Sequence, residues 1–124
     1  MEIGQKFEKL FTPCEADSAS RMGSGSLEVL STPSVLAAME NVAMNCVADS
    51  LSEEETTVGT LANFKHMKAS LVTSSFTASA KLIEIDRRRL VFQVQATDMQ
   101  GNLLAEGIHE RFIVNICKFM GKIV

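Results

Sequence analysis

Glu40 is the residue best placed to do chemistry in this chain. It is the only charge between Val29 and Ala48, in a stretch otherwise built of Leu, Ser, Thr, Pro, Val, Ala, Met, Asn and Cys. An ionised carboxylate in apolar surroundings forfeits hydration worth several kcal/mol unless a partner replaces it. Two readings stand: this helix face is wet, or Glu40 is held there for a purpose, as a general base or a nucleophile. The one basic cluster, Arg87-Arg88-Arg89, reads either as a solvated turn or as a contact for phosphate, which suits the guanidinium fork. Three cysteines, Cys14, Cys46 and Cys117, are odd in number and widely spaced, with no CxxC pair. They suggest neither a disulfide framework nor a zinc site, and read as reduced thiols in a cytoplasmic protein.

The chain has 124 residues, 46% of them hydrophobic, which suits one domain spanning residues 1–124 with a real core. A formal charge of −3 argues against a nucleic-acid binder held by phosphate contacts. No segment has the length of uncharged apolar sequence that a membrane span needs, and Met1–Lys6 lacks the apolar stretch of a secretory signal. A mean hydropathy of +0.13 is on the apolar side, consistent with some surface being covered by a second subunit.

The elements that must position Glu40 follow from the pattern. Residues Gln5 to Thr12 fit a short first strand, and Cys14 to Ser26, rich in Ser, Gly and Ala, an irregular loop. A helix then starts with Thr32 as N-cap and Pro33 as its first residue. Val35, Met39, Val42 and Cys46 share one face, while Leu36, Ala38, Ala43 and Val47 extend the apolar surface around most of the cylinder. Ser50 to Glu55 is a solvated exit. The rest reads as strands: Thr56 to Lys68, Ser75 to Ile85, Arg89 to Thr97, and Leu103 to about Ile116 with Leu104, Ile108, Phe112 and Val114 as its apolar face. Tight turns at Asp86–Arg88 and Gln100–Asn102 make neighbouring strands antiparallel. One long apolar helix and one antiparallel sheet bury each other only if the sheet wraps the helix, an α+β arrangement.

Four motifs occur in order along the chain: Gly23 to Glu40 (GSGSLEVLSTPSVLAAME), Thr57-Val-Gly-Thr60, Asp86 to Leu90 and Gly107 to Phe112 (GIHERF). Together they resemble the hotdog-fold thioesterases related to fluoroacetyl-CoA thioesterase. The resemblance implies a hotdog fold, with about five antiparallel strands around a central helix. It implies a homodimer with its active site near the subunit interface. It also implies an acyl-CoA thioesterase for small acyl thioesters, with no cofactor beyond the coenzyme A carried in the substrate. The family's catalytic Thr, Glu and His match Thr32, Glu40 and His66, and a family glycine matches Gly59.

Thioester hydrolysis needs an activated nucleophile, a stabilised oxyanion and a proton route. On this resemblance Glu40 serves as nucleophile or as base toward water, with His66 orienting it or passing a proton to the leaving thiolate. Thr32 sits at a helix N-terminus, where negative charge is favoured. A backbone N–H at Gly59 is open to a substrate carbonyl. Each residue also has an ordinary reading: Thr32 as a plain cap, Gly59 as a packing glycine, His66 as a strand histidine and Glu40 as an exposed helix-edge residue. His109 reads as structural. Arg87, Arg88 and Arg89 are the candidates for CoA phosphates. Ala16 to Ser26 contains no Phe, where the fluoroacetyl-CoA enzyme carries an aromatic lid, so fluorinated-substrate selectivity is not expected. The alternative is a hotdog module that binds acyl-CoA without turning it over. The Asp/His motif of enoyl-CoA hydration is not found.

Overall fold

The computed structural model describes residues Met1–Val124, and its organising element is a helix gripped by one curved sheet. Strand β1 (Lys6–Phe11) leads into a 3-10 turn (Glu15–Asp17) and a one-turn helix α1 (Ala19–Met22). The long helix α2 (Thr32–Ala48) precedes β2 (Glu55–His66), β3 (Phe76–Asp86), β4 (Arg89–Asp98) and β5 (Leu103–Asn115), and α3 (Ile116–Ile123) closes the chain. The five strands are antiparallel in the order β1-β3-β4-β5-β2, so β1 and β2 are the edges. This is the expected α+β arrangement.

The core lies between α2 and the sheet. Val35, Met39, Val42, Ala43 and Val47 of α2 are fully buried against Leu82, Leu90, Phe92, Val94 and Leu104. Alternate residues of β3 (Phe76, Ala78, Ala80, Leu82) point inward, as the period-two pattern requires. Each large aliphatic side chain removed from water contributes about 1.5–3 kcal/mol, which is what holds the sheet on the helix.

Four local features differ from the sequence reading. The N-cap of α2 is Ser31, whose hydroxyl accepts from the Ser34 N–H; Thr32 is the first helical residue and Pro33 the second. Cys14–Ser26 is not an irregular loop throughout, because Ser18 caps α1 and Gly23 ends it in the left-handed conformation. The last strand ends at Asn115, within a residue of the expected end, but the Asn115 side chain then accepts from the Lys118 N–H and starts α3, a helix the sequence reading lacks. And α2 is not buried all round: Ala37, Met44 and Ala48 lie on an exposed flank.

Two β-bulges control which side chains face the helix. In β2, Gly59 pairs with Arg111 and Leu61 with Glu110, leaving Thr60 as the extra residue. A one-residue bulge switches the phase of all that follows. Thr57 and Gly59 therefore share the inner face with Phe64 and His66, although an odd spacing separates Gly59 from His66. In β5, Leu104 is the extra residue opposite Ala96–Thr97. Leu104 and Ala105 are both buried, and beyond them His109 and Arg111 turn inward while Ile108 and Phe112 face solvent. This reverses the expected apolar face of β5.

Candidate active site

Two polar clusters stand along α2. The first is at its N-terminus, where Thr32 Oγ1 and His66 Nδ1 are 2.8 Å apart. Because Ser31 does the capping, the Thr32 hydroxyl is free to make this bond. His66 ends β2 and reaches the helix from the inner face of the sheet. Burial pushes its imidazole below the usual 6.5, opposed by the nearby Lys68 main chain. The ring is therefore neutral at pH 7 and available as a base. Its Nε2 is buried without a well-formed partner in the chain. With Nδ1 unprotonated, the Thr32 O–H donates to it, the arrangement of an activated hydroxyl nucleophile.

A cavity of about 240 Å³ adjoins this pair, lined by Thr32 and His66 with Ala19, Val29, Leu30 and Met67 among the apolar walls. Leu30, 1% exposed, also walls a second cavity of about 280 Å³ floored by Phe11 and Phe76. The segment after His66 is tied over this region, with the Leu30 N–H donating to the Ser70 carbonyl.

The second cluster surrounds Glu40. Eight residues beyond Thr32, Glu40 lies about 12 Å further along the helix axis and makes no hydrogen bond to Thr32 or His66. Its side chain is 41% exposed, and its charged neighbour is the Arg111 guanidinium, Nη1 to Oε2 4.0 Å, itself only 8% exposed. Arg111 donates from Nε to Thr57 Oγ1 (2.8 Å), from Nη2 to the Thr57 carbonyl (2.9 Å) and from Nη1 to His109 Nε2 (3.1 Å). A guanidinium only donates and a carbonyl only accepts. His109 Nε2 must therefore be the acceptor, and Nδ1–H donates to the Leu61 carbonyl at 2.8 Å. His109 is neutral in this arrangement, and burial pushes its imidazole down in the same direction, with Arg111 adding to the effect. Burial also lowers the Arg111 guanidinium, and Glu40 raises it again.

Gly59 closes this cluster. A Cβ built on it would meet Glu40 Oε2 at 3.0 Å, His109 Cε1 at 3.2 Å and Arg111 Nη1 at 3.3 Å. A side chain here would crowd the three polar groups packed beneath it, which would have to give by a few tenths of an ångström. Its φ lies outside the left-handed region, so space and not backbone conformation is what a substitution would meet.

The three turn arginines separate by role. Arg89 donates to Glu110 and Glu84, and Arg88 to Glu55. Arg87, at φ 59°, makes no ion pair. Their turn lies at the Glu40 end of the sheet: Arg89 pairs with Phe112 and His66 with Ala105, seven positions or roughly 24 Å along β5. The residue that sequence reasoning passed over is Arg111. It stands in the GIHERF motif beside His109, and the one-residue alternation of His109 and Arg111 was the available signal.

The sequence profile of the fluoroacetyl-CoA-specific thioesterase family, FlK, matches residues 14–116. The structure is similar to that of the fluoroacetyl-CoA thioesterase FlK, with a TM-score of 0.91 at 25% identity over 99% of this chain and 95% of that one. It is similar to a mutant of the same enzyme in complex with acetyl-CoA, with a TM-score of 0.92 at 25% identity over 99% and 96%. A Thermus thermophilus hypothetical protein, a thioesterase superfamily member, superposes with a TM-score of 0.90 at 18% identity over 98% and 90%, a likeness of fold. No curated protein sequence matches.

Proposed function

Since the chain belongs to the fluoroacetyl-CoA-specific thioesterase family, a family of thioester hydrolases, we propose that it hydrolyses small acyl-CoA thioesters using Thr32, His66 and Glu40. The observation that carries the reading is the 2.8 Å contact between Thr32 Oγ1 and His66 Nδ1 beside a cavity of mixed polar and apolar lining. A cap residue would have its hydroxyl occupied; Thr32 does not.

In this reading the acyl group occupies the cavity and His66 takes the proton from Thr32 or from water, later giving it to the leaving CoA thiolate. Glu40 and Gly59 stand together about 12 Å further along α2, so their roles, as carboxylate base or nucleophile and as backbone contact to the substrate carbonyl, fall to a site that a second subunit completes. A volume of about 240 Å³ suits a short acyl group. No cofactor enters beyond CoA in the substrate. Of the three turn arginines Arg87 has an uncommitted charge for a CoA phosphate, whereas Arg88 and Arg89 are already paired. We further propose a cytoplasmic homodimer. The exposed flank of α2 and the open edge of β2 are the surfaces such a pairing would cover, and Thr32 and Glu40 both stand beside β2, against His66 and Gly59. No helix is long and apolar enough to cross a membrane.

The test is thiol release from a panel of acyl-CoAs by the purified chain. Hydrolysis of short acyl-CoAs is expected, together with its loss in Thr32→Val, His66→Ala and Glu40→Ala. Saturable CoA binding with no release across the panel would replace the enzyme with a binding module.

A further inference from the structure

We propose that Ser70 is a positioning residue for His66: with the Lys68 carbonyl, its hydroxyl holds a water against Nε2 and so keeps Nδ1 free to take the Thr32 proton. The proposal rests on the role given to His66 above.

The first support is a set of uncommitted groups. The buried side-chain polar atoms without a partner in the chain are His66 Nε2 and Ser70 Oγ. Buried polar atoms are ordinarily hydrogen-bonded, to protein or to an internal water. These two stand four residues apart on one segment, and no backbone N–H donates to the Lys68 carbonyl between them. Three groups at alternate positions are thus open, one N–H and two oxygens. An internal water makes about three hydrogen bonds. Here it accepts from Nε2–H and donates to the two oxygens. The Lys68 main chain already lies close enough to draw the imidazole upward.

The second support is how the segment is tied. The Met67 and Lys68 N–H groups donate to the Leu104 carbonyl, the Leu30 N–H donates to the Ser70 carbonyl at 3.0 Å, and Val29 bridges to Leu71. The segment is fixed at both ends beside Leu30, two residues before Thr32. Ala69 and Leu71 are exposed, while Ser70 and Val72 turn inward, the side from which His66 reaches the helix. An alanine would fill the same place without burying a hydroxyl, which is costly when unpaired.

The third support is that no charge competes for this role. Of the residues lining the cavity, His66 alone is ionisable. The Lys68 ammonium is paired with Asp98 at 2.9 Å, and Arg21 of α1 with Glu15. Lys65 and Glu106 lie on the opposite face of the sheet, and Glu40 stands about 12 Å beyond Thr32 along α2. The tautomer of His66 therefore depends on neutral partners, Thr32 on Nδ1 and the Ser70–Lys68 pair on Nε2. Once His66 has taken a proton both nitrogens donate, and the acceptors at Nε2 stabilise the imidazolium.

The chain contains two histidines, so imidazole 15N NMR of the full chain reads each one. His109, locked as the Nδ1–H tautomer by Leu61 and Arg111, is the internal reference. His66 is expected as the Nε2–H tautomer. In Ser70→Ala it should become a mixture of tautomers and titrate at lower pH, because the imidazolium has lost an acceptor, while His109 stays unchanged. With the best substrate among acetyl-, propionyl- and butyryl-CoA, kcat should fall about tenfold, the low end for losing a partner one step from the chemistry. The acid limb should move to lower pH with His66, and KM should stay within about threefold. Ser70→Thr keeps the hydroxyl and should restore both the tautomer and kcat. An Nδ1–H tautomer of His66 in the parent chain overturns the proposal without any variant. So does an unchanged His66 in Ser70→Ala, whether or not Tm falls, or a loss of kcat that Ser70→Thr does not restore. Full activity in His66→Ala removes the role given to His66, and this inference with it. Loss in His66→Ala with parental behaviour in Ser70→Ala removes the inference alone.

Discussion

At the scale of single residues, the functional contrast lies in how the two histidines are satisfied. His109 has both nitrogens committed, to the Leu61 carbonyl and to Arg111, and is locked in one neutral tautomer. His66 has one nitrogen on Thr32 and the other buried without a well-formed partner. The first arrangement is stable and inert, while the second leaves capacity for a proton to move. Burial lowers His66 below 6.5, so activity should be flat through neutrality and fall only at pH values under that figure, which a kcat/KM profile checks. A limb centred above 6.5 would mean that His66 is not the base. Arg89→Ala, by contrast, should leave the KM for acyl-CoA at the parental value, because Glu84 and Glu110 already occupy that guanidinium. Arg87→Ala should raise it.

Secondary-structure elements bring these residues together through caps and bulges. Ser31 accepts from the Ser34 N–H and donates to Ser34 Oγ, which donates to Asp17, so one hydroxyl chain ties the helix start to the turn before α1. Ser31→Ala should cost about 1 kcal/mol of stability, read as a lower Tm. It should also weaken activity, because Thr32 sits on the helix end that Ser31 fixes. The bulge at Thr60 is equally decisive. Without the extra residue, the spacing between Gly59 and His66 would put them on opposite faces of β2. Neither bulge was legible in the sequence, because a bulge is set by how two strands match across the sheet and leaves no local pattern in either one.

For the whole molecule, the wrapped sheet creates two cavities with Leu30 between them. Leu30→Ala should join them and move the preferred acyl chain toward longer substrates, at a stability cost of about 2–5 kcal/mol; an unchanged chain-length profile in the folded variant would show that the second cavity is not reached. The acid side of the stability curve follows from linkage. His66 and His109 have lowered values in the fold, so the unfolded chain binds protons more readily. Their contribution is present above 6.5 and is lost as pH falls below it. Asp17, held below the usual carboxylate range chiefly by the Cys14 N–H, and Glu110, held down by Arg89, add a second loss at lower pH. Thermal melts should therefore decline toward acid in two stages.

The amino-acid order by itself determined the α+β layout, because apolar period and turn residues act locally: strands alternating through Phe76–Leu82 and Leu90–Ala96 survive intact in the structure. Glu40 was legible too, since one charge in an apolar helix is an electrostatic anomaly wherever the helix packs. Tertiary structure alone decided what Glu40 faces. Periodicity placed Ile108 and Phe112 in the core, and the bulge at Leu104 turned them out and brought Arg111 in. It also decided the freedom of Thr32, because either Ser31 or Thr32 can cap a helix and only the packing of Ser34 and Asp17 selects the serine. Which side of a strand meets a charge depends on register between segments far apart in sequence, and that is settled only when they pair.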